Sequence, residues 1–76
     1  MPSMATGSVY NVIELIGSSN ESWEQATANA VSEAARMYQD LRVAEVVEMD
    51  VLIEDGAILA YRSKVRLSYK QTLGED

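Results

Sequence analysis

The chain has 76 residues, no cysteine and no histidine, and twelve acidic against six basic residues, for a formal net charge of −6. Disulfides, thiolate metal sites and histidine chemistry are therefore excluded. A non-specific nucleic-acid binder needs a basic surface, so that class is disfavoured. No apolar run has the length of a membrane span and the N-terminus lacks a secretion signal, so we expect a cytoplasmic protein without a membrane partner. A domain this small buries little surface, which favours self-association.

The pattern indicates one domain with loose ends. We predict a flexible N-terminal arm over 1–7, a single domain over 8–70 and a flexible tail over 71–76. The first strand is predicted over 8–16, because apolar residues occupy both of its alternating faces. The following Gly17-Ser18-Ser19-Asn20 should end it.

An amphipathic helix is predicted next. Ser22 and Gln25 match a capping box, which predicts a start at Ser22. Ser18 and Glu21 match the same pattern, which leaves the start open by a turn. Apolar residues then recur at three- and four-residue spacing: Trp23, Ala26, Thr27, Ala30, Val31, Ala34, Met37, Tyr38 and Leu41. The alanines should let this stripe lie close to a sheet, with Trp23 as a core or interface anchor.

Two long strands follow, predicted over 42–53 and 57–70 and joined by Glu54-Asp55-Gly56. A three-residue loop with Gly56 in the left-handed region would pair Ile53 with Ala57. Continued along the hairpin, that register places Glu45 on the inward face, with Val65 and Leu67.

One extra residue in the first strand of the hairpin resolves this conflict. We predict a β-bulge near 48–50, which also bends the strand around the helix. The inward face then holds Ala44, Val46, Val65 and Leu67, and the outward face holds Val43, Glu45, Val47, Arg62, Lys64 and Arg66.

The predicted architecture is α+β, with the element order β-α-β-β. A three-stranded antiparallel sheet in the order 1-3-2 packs on one amphipathic helix. The opposite sheet face keeps Val43, Val47 and parts of the first strand apolar. A monomer rarely leaves such a surface open, so we interpret this face as a subunit interface.

Four segments occur in a characteristic order: SVYNVIELIGSS, ESWEQATANAVSEAA, LRVAEVVE and EDGAILAYRSKVRLSY. Over 8–69 the sequence resembles the dodecins, small bacterial and archaeal proteins. The resemblance implies β-α-β-β subunits assembled as a hollow homododecamer. It also implies a non-catalytic role, since many dodecins bind flavins between subunits for storage or photoprotection.

The resemblance further implies how a flavin would be held. Flavin-binding dodecins stack the isoalloxazine ring on a tryptophan of the second strand, and a glutamine of the third strand hydrogen-bonds to it. Those positions are Val43 and Arg62 here. Loss of a stacking platform, about 1–3 kcal/mol per base, would weaken FMN or riboflavin binding about tenfold or more. The segments RVAEVV and AYR resemble the calcium-binding dodecin branch, and some dodecins also bind coenzyme A.

Charged residues along the hairpin are the remaining candidates for a site. The candidate cofactor-binding residues are Val43, Glu45, Arg62 and Lys64, with the basic stripe able to capture the phosphates of a nucleotide-like ligand. The candidate metal ligands are Glu48 and Asp50, which symmetry would have to supplement because calcium takes six to eight oxygens. The alternative, which we favour for the acids, is ion pairing with Arg62, Lys64 and Arg66 across the hairpin or between subunits.

No catalytic constellation is present. Without histidine, cysteine, a glycine-rich phosphate loop or a nucleophile elbow, we predict no enzymatic activity. The first hypothesis is a binding or storage shell with little flavin affinity and with metal or anion sites between subunits. A true flavin-binding dodecin and a purely structural oligomerisation module are the alternatives.

Overall fold

A computed structural model describes the protein from residue 9 to residue 71. Strand β1 spans Tyr10–Ser19, helix α1 spans Trp23–Met37, strand β2 spans Leu41–Glu54 and strand β3 spans Ala57–Lys70. The predicted arm, and all but the first residue of the predicted tail, lie outside the described residues. No helix within 9–71 combines the length and apolar character that crossing a bilayer requires.

The sheet is antiparallel, with β3 between β1 and β2. The predicted α+β fold, with the order β-α-β-β and strand order 1-3-2, is confirmed. Strand β1 continues further than predicted, because residues 17–19 pair with residues 61–63. The prediction that the Gly-Ser-Ser sequence ends the strand was wrong. Its backbone groups find partners on β3, and such pairing outweighs a weak local preference for a turn.

Helix α1 begins where the capping box predicts. The Ser22 hydroxyl accepts a hydrogen bond from the Gln25 N–H at 2.9 Å, which selects the later of the two predicted starts. The predicted stripe was too long, because Tyr38 adopts extended backbone angles and Leu41 already belongs to β2. Asp40, with φ 62°, lies in the reversal between them. The helix therefore ends at Met37, where the backbone becomes extended, and the left-handed Asp40 helps to turn the chain into β2.

The helix lies very close to the sheet at Gly17. A Cβ atom at this position would overlap the carbonyl oxygen of Ala26 and lie 3.1 Å from the Ala30 Cβ. Ala26, Ala30 and Ala34 are buried, so the predicted alanine face is the packed face. Only glycine on the strand permits this contact.

The hairpin turn is tighter than predicted. Glu54 pairs with Ala57, and the turn consists of Asp55 and Gly56, with φ of 53° and 77°. The predicted three-residue loop pairing Ile53 with Ala57 was therefore wrong. Two left-handed residues make a type I′ turn, whose twist matches that of the strands it joins, and Asp-Gly suits both positions.

The predicted bulge is present one residue earlier than expected. The pairing of β2 with β3 shifts between Val46 and Glu48, so Val47 is the extra residue. Two more irregularities lie between Leu41 and Val43 and between Leu52 and Ile53. Beyond the bulge the predicted register holds, with Ala44 opposite Leu67 and Val46 opposite Val65.

The core is small and lies between α1 and the central strand. The buried hydrophobic residues are Ala26, Ala30, Ala34, Val65 and Leu67. The helix contacts β1 and β3 far more than β2. Strand β2 is consequently exposed along almost its whole length.

Candidate functional site: the ion-paired outer face

The face of the sheet turned away from α1, here called the outer face, carries the predicted site residues. Val65 and Leu67 pack toward the helix, so the alternating Arg62, Lys64 and Arg66 lie on the outer face of β3. Their paired neighbours on β2 and β1 share that face. Those neighbours are Asp50, Glu48 and Glu45 on β2 and Ser18, Ile16 and Glu14 on β1.

Charges on this face form a ladder across the hairpin. Arg62 donates two hydrogen bonds to the Asp50 carboxylate, with N–O distances of 2.7 and 2.8 Å. The Lys64 Nζ lies 3.4 Å from the Glu48 carboxylate. The predicted pairing of acids with the basic stripe is therefore observed within one chain, and the bidentate pair is the most specific of these contacts.

Arg66 is shared between the two outer strands. Its guanidinium lies 2.9 Å from the Glu14 carboxylate on β1 and 3.8 Å from the Glu45 carboxylate on β2. Sequence reasoning missed the contribution of β1, although the parity of Glu14 in the first strand would have indicated its face. Glu45 is thus the most loosely held acid of the ladder.

The Asp50–Arg62 pair perturbs both groups. The hydrogen bond from the guanidinium lowers the pKa of the Asp50 carboxyl below its ordinary 3.8, and the nearby positive charges of Arg62 and Lys64 act in the same direction. The same hydrogen bond raises the pKa of Arg62. Asp50 is therefore a carboxylate at all physiological pH values.

The Asp50–Arg62 pair should make the folded state less stable at acidic pH than at neutral pH. Because the folded state lowers the pKa of Asp50, its stabilising contribution is complete above about pH 5 and is lost as pH falls through and below the ordinary value. Thermal melts of wild type and Asp50→Asn should therefore differ near pH 7 and converge toward about pH 2. A difference that stays constant down to the lowest pH would assign the effect to some other contact of Asp50.

The predicted cofactor residues are not brought together in one subunit. Val43, 59% exposed, is paired with Ser68, whereas Arg62 is paired with Asp50. Ser68 and Arg62 are six residues apart on β3, or roughly 20 Å at about 3.3 Å per residue. Glu45 and Lys64 lie between them, so Val43 and Arg62 do not line one compact pocket within a subunit.

The predicted metal residues likewise form no site in one subunit. Among residues 9–71 there is no group of three or more carboxylates placed to hold a metal ion. Glu48 is engaged by Lys64 and Asp50 by Arg62.

Trp23 occupies the other side of the same strand segment. Its indole N–H donates to the Asp50 carbonyl oxygen at 3.1 Å, and its ring meets Tyr61 edge-on at 5.0 Å between centroids. The predicted role as an anchor at the helix start fits this arrangement. The partner could not be predicted, because it depends on the bulge that sets which β2 residue lies beneath the helix. An open groove of about 520 Å³ runs beside the ring, lined by Trp23, Glu24, Thr27, Val46 and Met49.

The fold and this face define a small β-α-β-β protein whose candidate site is an open, ion-paired sheet surface and not an enclosed cavity. The family model of the dodecins matches residues 9–72, and the chain belongs to this family. It is 46% identical over 63 residues to the calcium dodecin of Mycobacterium tuberculosis, covering 83% of this chain and 89% of that protein. That relative is named for calcium and not for a reaction.

Solved structures agree with this assignment. A dodecin from Streptomyces coelicolor superposes with a TM-score of 0.85 at 27% identity, covering 92% of this chain and all of that one. The structure of the calcium-chelating antigen calcium dodecin from Mycobacterium tuberculosis, described with a novel calcium-binding site, matches with a TM-score of 0.77 at 44% identity. It covers 91% of this chain and 99% of that one.

Proposed function

We propose that this dodecin is a non-catalytic cytoplasmic binding protein that assembles as a homododecamer and holds small ligands or ions between subunits. The observation that carries the proposal is that far fewer hydrophobic residues are buried than are exposed. Five hydrophobic residues are buried in the described chain, while fourteen large hydrophobic residues are exposed. So small a core gives little stability, and so much apolar surface is typical of protein interfaces. Burial against other copies supplies what a single subunit lacks.

Calcium is the ligand that we favour. The support is the name of the 46% identical relative, together with a surface rich in carboxylates. Glu48 and Asp50 are the proposed ligands. The Glu48 carboxylate is more weakly ion-paired than that of Asp50, because its contact with Lys64 is longer than the contact of Asp50 with Arg62. Neighbouring copies would supply the remaining oxygens.

Calcium should raise the melting temperature of the assembled protein in a concentration-dependent manner, since a ligand that binds only the folded form stabilises it. Magnesium at equal concentration should have a smaller effect, because it demands a tighter octahedral geometry. Glu48→Gln should reduce the calcium shift, whereas Glu33→Gln, which alters an exposed pair on α1, should not. Equal shifts with both metals, or none, would contradict calcium as the ligand.

Weak flavin affinity is part of the same proposal. Val43 offers no aromatic face, and Arg62 already donates from its Nε and one terminal nitrogen to the Asp50 carboxylate. A coenzyme A-like anion would likewise have to displace carboxylates, and Lys64, held by one contact of 3.4 Å, is the most loosely held of the three cations on the outer face. The alternative of a flavin-storing dodecin requires FMN or riboflavin to bind despite these two positions.

A further inference from the structure

Side chains in the N-terminal half of α1 tether the helix to the sheet, with one hydrogen bond to each strand. The bonds run from Asn29 to the Ser18 carbonyl on β1, from Thr27 to the Ser63 hydroxyl on β3 and from Trp23 to the Asp50 carbonyl on β2, at 2.9, 2.8 and 3.1 Å. Among the residues that the structure describes, the bond from Trp23 is the only one from an α1 side chain to β2. Each strand thus depends on a different residue of the helix for its polar contact.

Strand β2 is the strand that most needs this tether. The helix contacts it far less than it contacts β1 or β3, and nearly all of its residues are exposed. The extra residue Val47 also interrupts its pairing with β3, three positions before Asp50. The segment that carries Glu48 and Asp50 therefore follows directly on a defect in the sheet. The indole of Trp23 fixes this segment relative to the helix.

The same indole contacts both strands of the Asp50–Arg62 pair. Its N–H bonds the backbone of Asp50, and its ring packs edge-on against Tyr61, the residue before Arg62 on β3. The bond is made to a backbone oxygen, so it leaves both carboxylate oxygens of Asp50 to groups on the outer face, where Arg62 now holds them. One side chain on the helix side thereby holds the backbone that carries the outer-face charges.

We propose that Trp23 is a positioning residue for ligand binding on the outer face: it holds the β2 backbone so that the carboxylates of Glu48 and Asp50 are in place before the ligand arrives. This inference rests on the calcium proposal above and adds to it a residue outside the site. Groups that are already ordered lose less conformational freedom on binding, which strengthens affinity. Residues that orient metal ligands typically contribute about ten- to a hundredfold in metal affinity. Trp23 holds the backbone of a ligand residue and not the ligand atoms, so its contribution should lie near tenfold.

Trp23→Phe tests the role, because it keeps an aromatic ring against Tyr61 and removes the N–H donor. Isothermal titration of the assembled variant with calcium should give a Kd about tenfold higher than that of wild type. The chain has a single tryptophan, so benzothienylalanine, which has sulfur in place of the indole N–H, can be incorporated at this position alone. It preserves the shape of the indole and should weaken calcium binding to the same extent. Wild-type affinity with this analogue would overturn the role of the hydrogen bond.

Thr27→Val is the matched control. It removes the tether from the same helix to β3 at almost constant shape and leaves the fully buried Ser63 hydroxyl without this partner. The melting temperature should therefore fall, since an unpaired buried polar group is costly, while the Kd for calcium stays close to that of wild type. Equal weakening of calcium binding by Thr27→Val and Trp23→Phe would assign the effect to a loosened helix and overturn the positioning role.

The failure of this inference is distinguishable from the failure of the calcium proposal. If wild type binds calcium, Glu48→Gln weakens the binding and Trp23→Phe does not, the positioning role is refuted while calcium as the ligand stands. If wild type gives no binding heat with calcium and no shift of its melting temperature, both are refuted.

Discussion

Replacing Gly17 by alanine is expected to lower the free energy of unfolding by about 3 kcal/mol, the upper part of the range for overpacked cores. The added Cβ would overlap the Ala26 carbonyl oxygen, which is backbone and cannot rotate away. Accommodating it moves α1 from the sheet and loosens the packing of Ala26, Ala30 and Ala34. Urea denaturation followed by circular dichroism, at one fixed protein concentration, would measure the change.

Ser18→Ala provides the control for this experiment. Ser18 is the next residue of β1, is exposed, and uses its carbonyl and not its hydroxyl to accept the Asn29 side-chain hydrogen bond. Its replacement should change stability by no more than about 0.5 kcal/mol. Equal stability of the Gly17→Ala and Ser18→Ala proteins would refute the close approach of helix and strand.

The double substitution Val43→Trp and Arg62→Gln is expected to tighten flavin binding at least tenfold. An added indole supplies the missing stacking surface, about 1–3 kcal/mol per stacked base, and 1.4 kcal/mol corresponds to one decade of affinity. Removing the guanidinium also ends its bidentate contact with Asp50 and leaves an amide that can hydrogen-bond to a ring. Quenching of riboflavin fluorescence on titration of the protein would report the gain.

A tryptophan at another position of the outer face should not tighten flavin binding. Val12→Trp combined with Arg62→Gln adds the same side chain to the same outer face, but on β1 and not on β2. If the Val43 variant binds flavin no better than the Val12 variant, the flavin position implied by the resemblance does not apply to this chain.

The sequence predicted most of the fold because its strongest signals are local. The Ser22 cap, the alanine stripe and Asp-Gly at the turn each act over a few residues, and each was located correctly. The turn length and the continuation of β1 were wrong, because both depend on pairing with β3. The existence of a bulge could still be inferred, since without it an acidic residue would face the core.

The candidate site was predictable only in part. Alternation along the hairpin placed the carboxylates opposite Arg62 and Lys64, and the pairs formed as that parity requires. The bond from Trp23 to the Asp50 backbone depends on the exact position of the bulge and gave no sequence signal. A site between subunits is completed by residues of other copies, so the sequence pattern of one chain does not identify its ligand.

We propose that this subunit completes its core only by joining other copies. Light scattering on the purified protein, coupled to size-exclusion chromatography at low micromolar concentration, tests it most directly. We predict a single species of twelve times the 8.4 kDa chain mass, with no folded protein at the mass of one chain. A folded, stable monomer under these conditions would contradict the claim.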